Sequence, residues 1–317
     1  MKTPLTVAPG HGFESFLFSE LVTDLDGLRA DIAFLGIPHG APYSMSNVNN
    51  DQSRTPDAIR QVSERSVRAL HHYDFDIGGT LFDGEDIRMV DCGNVPGNMH
   101  DFDEHAARSQ LAVEKILGAK ALPLIIGGDH AIPIPVLRAY RDRGPITLIQ
   151  IDAHIDWRED VNGVTQGLSS PIRRASEMAH VDQIFQIGIR AQGSARPADV
   201  TAAQAYGAHL ITAYELHEVG MRAVLDRIPD GGNYYLTIDA DGLDPAVMPA
   251  VAGPAPGGVT FVQARELIHG LVRKGRVVGM DVVEILPAMD VNRISLITAA
   301  RLFVNMIGAT VRAGYYR

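Results

Sequence analysis

Eight short, nearly continuous apolar runs recur along the chain with helical patterns between them, at residues 31–38, 87–95, 122–128, 146–153, 184–189, 209–212, 234–239 and 277–284. A sheet with one wetted face shows alternating apolar and polar residues, whereas runs this continuous need cover on both faces. Strand and helix in alternation give βαβ units and a parallel sheet. The expected fold is α/β, a three-layer α/β/α domain around a mostly parallel eight-stranded sheet. The clearest helix covers 261–274, where Phe261, Ala264, Leu267, Ile268, Leu271 and Val272 share one stripe. Thr260 and Gln263 form a capping-box pattern at its start, and Gly275 ends it.

With 317 residues and neither an internal repeat nor a composition shift, the chain reads as one domain spanning 1–317, with 1–30 as an N-terminal arm packed on it. A formal charge of −10 argues against nucleic acid, which demands clustered Lys and Arg, and would draw small cations toward a cleft. Cys92 is the sole cysteine, so no intrachain disulfide or multi-thiolate metal site can form, and a reducing, cytoplasmic compartment is expected. Residues 1–10 carry no apolar core of a secretory signal. The long apolar stretch 294–311 is interrupted by Arg301 and Asn305 and reads as a buried helix, so no membrane partner is expected.

Three acidic clusters close three of the apolar runs: Gly127-Gly128-Asp129-His130, Asp152-Ala153-His154-Ile155-Asp156 and Asp239-Ala240-Asp241-Gly242-Leu243-Asp244-Pro245. Side chains alternate along an extended segment, so Asp152, His154 and Asp156 are expected to point one way, as are Asp239 and Asp241. With His130 these residues offer four carboxylates and two imidazoles. That is more than one divalent ion needs, and it suits two ions sharing carboxylates. Clustered carboxylates repel unless a cation compensates them, which disfavours reading them as mere strand-end turn formers.

These motifs resemble the ureohydrolase family of arginases, agmatinases and guanidinobutyrases. The likeness includes the loop Gly36-Ile37-Pro38, the run Arg54-Thr55-Pro56-Asp57-Ala58-Ile59-Arg60, the three acidic motifs in order, and Met280-Asp281-Val282-Val283-Glu284-Ile285. The resemblance implies one ion held by His130, Asp152, Asp156 and Asp239 and a second by Asp152, His154, Asp239 and Asp241, with Asp152 and Asp239 bridging. It implies manganese, or nickel in relatives acting on small guanidines or biguanides. It also implies hydrolysis of a cationic, agmatine-like guanidino compound to urea and an amine. Asp156 would orient the attacking hydroxide and pass a proton to the leaving nitrogen, while Glu284 would grip the guanidinium. Trimers or hexamers are implied as well.

One departure stands out, because the segment Thr165-Gln166-Gly167-Leu168-Ser169-Ser170-Pro171 carries Gln166 where many relatives have a histidine. A neutral amide relays no proton near neutral pH, but it hydrogen-bonds through both ends, so Gln166 becomes a candidate substrate contact. A biguanide or alkylguanidine substrate, or a role as one subunit of a hetero-oligomer, are the alternatives this opens. His39, His100 and Trp157 fall in or beside expected rim loops. His71, His72, His180, His209, His217 and His269 read as surface or core residues.

Overall fold

The computed structural model describes residues 4–10, 15–40, 43, 51–97 and 101–317. All eight expected strands form, and a ninth precedes them. They are β1 (Glu20–Leu21), β2 (Ile32–Ile37), β3 (Met89–Asn94), β4 (Leu122–Gly127), β5 (Ile146–Ile151), β6 (Val181–Ile189), β7 (His209–Thr212), β8 (Asn233–Asp239) and β9 (Arg276–Val283). The expectation of eight strands is thus corrected to nine among the described residues. The extra one is two exposed residues on the sheet edge beside β3, too short and too polar to leave an apolar signature. Every pairing is parallel, in the order β1-β3-β2-β4-β9-β8-β5-β6-β7.

Alternate residues of each central strand feed two separate cores. Ile32, Phe34, Leu124, Ile126, Leu236 and Ile238 face one core, and Ala33, Leu35, Ile125, Leu148 and Tyr235 face the other. Among the described residues eight helices cover the two faces. The first core is closed by α1 (Thr55–Ser63), α6 (Ala213–Leu225), α7 (Phe261–Lys274) and α8 (Ile294–Arg312), and the second by α2 (Phe102–Gly118), α3 (Pro133–Arg138), α4 (Pro171–Ser176) and α5 (Pro197–Tyr206). Burial on both sides is why the strands read as continuous apolar runs.

Local chemistry fixes the helix ends. Thr260 Oγ1 accepts the Gln263 N–H at 3.2 Å while Gln263 Oε1 accepts the Thr260 N–H at 3.0 Å, so two orphan donors at the start of α7 are satisfied reciprocally. Gly275 ends α7 without a left-handed turn; a Cβ there would lie 2.4 Å from Gly232 O, so the close approach of two backbones selects glycine. By length and composition α8 could cross a membrane, yet 83% of its most apolar stretch is buried in this fold. Its Arg301 pairs with Asp74 at 2.8 Å, as befits a core helix with one polar edge.

A buried ion pair ties α1 to the sheet. Arg60, wholly buried, donates to Asp91 Oδ2 at 2.7 Å and Oδ1 at 2.8 Å, and also to Asn94, Gly93 O and Pro56 O. Residues 15–30 are joined to the same network: Phe16 and Leu17 are buried, and the Phe16 N–H donates to Asp91 Oδ2 at 2.7 Å. In sheet order, β9 and β8 stand between β4 and β5, although β4 and β5 are consecutive in sequence. A parallel sheet opens a crevice outside its carboxyl ends where the strand order switches in this way.

Candidate metal centre

The three acidic motifs and Glu284 leave the carboxyl ends of β4, β5, β8 and β9, the four central strands. His130 Nδ1 lies 3.1 Å from Asp152 Oδ2, 2.8 Å from Asp156 Oδ2 and 3.0 Å from Asp239 Oδ2. His154 Nδ1 lies 3.4 Å from Asp152 Oδ1 and 3.2 Å from Asp241 Oδ2. Two donor groups result: His130, Asp152, Asp156 and Asp239 form one, and Asp152, His154 and Asp241 the other. Asp152 serves both, one oxygen to each.

The route to this convergence differs from the expected alternation along an extended strand. β5 stops at Ile151, and the chain then bends because Asp152 Oδ1 accepts the His154 N–H at 2.7 Å. Asp156 sits in the left-handed region at φ 45°. Asp239 repeats the device: its Oδ1 takes the Asp241 N–H at 2.9 Å, folding a tight turn that carries Asp241. Asp239 Oδ2 faces His130, and its Oδ1, like Asp152 Oδ1, keeps a second lone pair beyond the N–H it accepts. Gly242 permits the packing, since a Cβ there would lie 2.5 Å from the Asp152 nitrogen.

A second tier of buried polar residues holds the donors. Tyr235 OH and Thr237 Oγ1 donate to Asp281 at 2.6 and 2.7 Å, and His130 Nε2 lies 3.1 Å from Thr237 Oγ1. Burial pushes Asp281 up to about 6, leaving it ionised at neutral pH as an acceptor only. The Thr237 proton is therefore committed to Asp281, and its oxygen receives Nε2–H from His130. In a neutral ring that leaves Nδ1 as a lone pair aimed at three carboxylate oxygens. On β5, Gln150 Nε2 donates to Asp152 Oδ2 at 2.5 Å, and Gln186 on β6 donates to Gln150 Oε1 and to Ile155 O. Tyr235, Thr237, Gln150 and Gln186 were not singled out from the sequence, and Asp281 was quoted only as part of a motif. Their signal was a polar residue inside an otherwise apolar parallel strand.

The charges do not balance without cations. Burial, then the Asp152 charge, raises Asp156 to about 7, and burial followed by Asp241 and Asp152 raises Asp239 well above its usual range. Asp241 is raised by burial and Asp152. For Asp152 burial acts upward, but the His130 and His154 imidazoles prevail and hold it low. His154 is pushed up to about 12 by Asp152 and Asp241. His130 is raised well above its ordinary value, its three carboxylates outweighing burial. Protons are thus retained where cations would compensate the acids, yet Nδ1 makes no hydrogen bond of proper geometry. A buried O/N donor set in two groups with a shared carboxylate fits a pair of divalent ions.

Glu284 follows β9 at φ 66°, also left-handed. Two acidic donors of the site region thus hold sparsely populated backbone conformations, a trait of functional positions. Its Oε1 accepts the His130 N–H at 2.8 Å and its Oε2 accepts Gln52 Nε2 at 2.8 Å. Burial and the nearby Asp129 push Glu284 up to about 8. Gln166 lies outside the donor groups, half-buried beside His39 and His105 in a small cavity. His39 stacks edge-on against His105 at 5.4 Å, and burial lowers its pKa. His100 lies outside the described residues. Trp157 is 2% exposed and packs beside Tyr206 at 5.6 Å, so it anchors its loop in the core. Cys92 is buried, and burial pushes its thiol up to about 12, which suits a small core hydrophobe.

The arginase family profile matches residues 30–308. A guanidinobutyrase of Pseudomonas aeruginosa is 31% identical over 290 residues, covering 90% of this chain and 87% of that protein. An agmatinase of Salmonella paratyphi B is 32% identical over 277 residues, covering 84% and 85%. Among solved structures, the proclavaminate amidino hydrolase of Streptomyces clavuligerus superposes with a TM-score of 0.81 at 26% identity, over 98% of this chain and all of that one, and shares the three-layer α/β/α fold. Sequence, fold and the paired donor groups agree: the chain belongs to the arginase family of ureohydrolases.

Proposed function

We propose that this chain is a binuclear metal-dependent hydrolase that cleaves a C–N bond of a cationic, agmatine-like guanidino compound, releasing urea and an amine. The observation that carries this is the pair of donor groups sharing Asp152 beside Glu284. His130, Asp152, Asp156 and Asp239 would hold one divalent ion, and Asp152, His154, Asp239 and Asp241 the other. Manganese is the first choice and nickel the second, as the O/N donor set accepts both. Such a pair supplies a nucleophilic water near neutral pH, which the resonance-stabilised guanidinium carbon requires. Glu284 keeps lone pairs beyond its two protein contacts, enough to grip guanidinium N–H groups. Asp156, fixed by its left-handed backbone, is the proton carrier to the leaving nitrogen. Gln166 is assigned to the substrate tail.

A second reading, hydrolysis of a biguanide or alkylguanidine, is favoured by one observation, the neutral Gln166 in the loop before α4. The lone cysteine supports a cytoplasmic setting, and we extend the proposal to a homo-oligomer, trimer or hexamer, with a hetero-oligomer as the alternative. The test is product analysis with manganese- or nickel-loaded protein over guanidino compounds of different tail length and charge, with metal content measured alongside. Urea with a diamine supports the first reading, and urea-type products with dimethylamine the second. Metal-replete isolated protein that releases neither overturns the proposal.

A further inference from the structure

Gln52 sits in the turn Asp51–Arg54 immediately before α1 and is 7% exposed. Its Nε2 donates to Glu284 Oε2 at 2.8 Å. A cationic guest beside Glu284 holds it ionised, and an ionised carboxylate has no proton to give, so the amide then keeps its nitrogen toward Glu284 and Oε1 away from that oxygen. Oε1 is buried and, among the described residues, has no donor. A buried acceptor without a partner is costly and calls for an explanation.

The turn is built against the strand end that carries Glu284. On one side of Gln52, Asp51 Oδ2 accepts the Ala288 N–H at 2.5 Å, and on the other Thr55 Oγ1 donates to Ile285 O at 2.8 Å. Gln52 is thus held in register with the segment following Glu284. Asp129 immediately precedes His130, whose N–H Glu284 accepts, and adds a further carboxylate to the same strand-end corner. Among the described residues no Lys or Arg pairs with Glu284 or Asp129. Carboxylates gathered without a cationic partner, beside an amide oxygen without a donor, suit a donor-rich planar cation with N–H groups on adjacent nitrogens.

We propose that Gln52 is a second substrate-binding residue, its Oε1 accepting an N–H from the same guanidino group that Glu284 grips. The site then selects a substrate whose guanidino nitrogens keep their hydrogens on the Gln52 side. This rests on the guanidino hydrolase reading. The test compares metal-loaded wild type with Gln52→Met, which keeps volume and removes both polar ends, using guanidinium chloride and methylammonium chloride as probes. Competition is read as inhibition of urea release and, without turnover, by ligand-observed NMR.

Methylammonium has all its donors on one nitrogen and engages Glu284 alone, so it reports any displacement of Glu284. The expected result is about a tenfold or greater loss of guanidinium binding with a much smaller loss for methylammonium, because a hydrogen bond to a charged group is removed from one ligand only. KM for the guanidino substrate rises in step while metal content is retained. Equal losses for both ions leave Gln52 as a positioning residue for Glu284 and overturn the proposal, as does binding within twofold of wild type. If wild type neither binds guanidinium nor releases urea from any guanidine, the parent reading itself falls, and the two failures are thereby told apart.

Discussion

Replacing Thr237 by valine isolates what the second tier contributes to the metal centre. Valine matches threonine in shape, so the buried strand keeps its packing and only the hydroxyl is lost. That hydroxyl lies 3.1 Å from His130 Nε2 and 2.7 Å from Asp281 Oδ1, at a site with no solvent access. Two buried polar groups would lose a partner, each at about 1–3 kcal/mol. The ring also loses what keeps its proton on Nε2. It can then carry the proton on Nδ1, 2.8–3.1 Å from three carboxylate oxygens, where a cation must displace it. Metal affinity should fall by about 10–100-fold, the range for removing such an outer partner. Titrating metal-stripped protein with Mn²⁺ or Ni²⁺ against a competing chelator measures it. Because His130 belongs to only one donor group, one of two ions should weaken while the other changes little, and Thr237→Ser should restore both. Wild-type affinity for both ions in Thr237→Val would refute the reasoning.

Asp152→Asn should abolish tight binding of both ions and Asp241→Asn of one, counted by metal analysis after gel filtration, since Asp152 lies in both donor groups and Asp241 in one. Metal-free protein should lose thermal stability between pH 5.5 and 8. Asp156 raised to about 7 and Glu284 to about 8 keep protons that the unfolded chain releases near pH 4, so their contribution is present in acid and fades through that window. Divalent metal should restore the melting temperature at pH 8; a metal-free melting temperature that climbs with pH contradicts this. Arg60→Met, which strands the buried Asp91 carboxylate, should cost about 3–5 kcal/mol by denaturant unfolding, with loss under 1 kcal/mol as the contrary result.

The eight long strands were legible because parallel strands covered on both faces must be apolar throughout. The acid clusters were legible because they break that rule at strand ends. What escaped had physical reasons. β1 is two exposed residues carrying no apolar pattern. The convergence of Asp152, His154 and Asp156 was expected from strand alternation, but Asx-type turns and a left-handed Asp156 bring it about, and these depend on hydrogen bonds invisible in spacing. Gln150, Thr237 and Asp281 were polar interruptions within apolar runs, readable in principle. Gln52 offered no signal, because its partner lies 232 residues away.

The placement of β9 has a consequence for how the protein comes into being. It follows every other strand in sequence yet is wedged between β4 and β8 at the middle of the sheet. A nascent chain must keep two half-sheets waiting, one ending in the bare edge of β4 and the other in that of β8, and such edges invite pairing with foreign strands. Only when β9 threads between them does Glu284 meet His130. Synthesis interrupted before that strand should yield sticky fragments without chemistry.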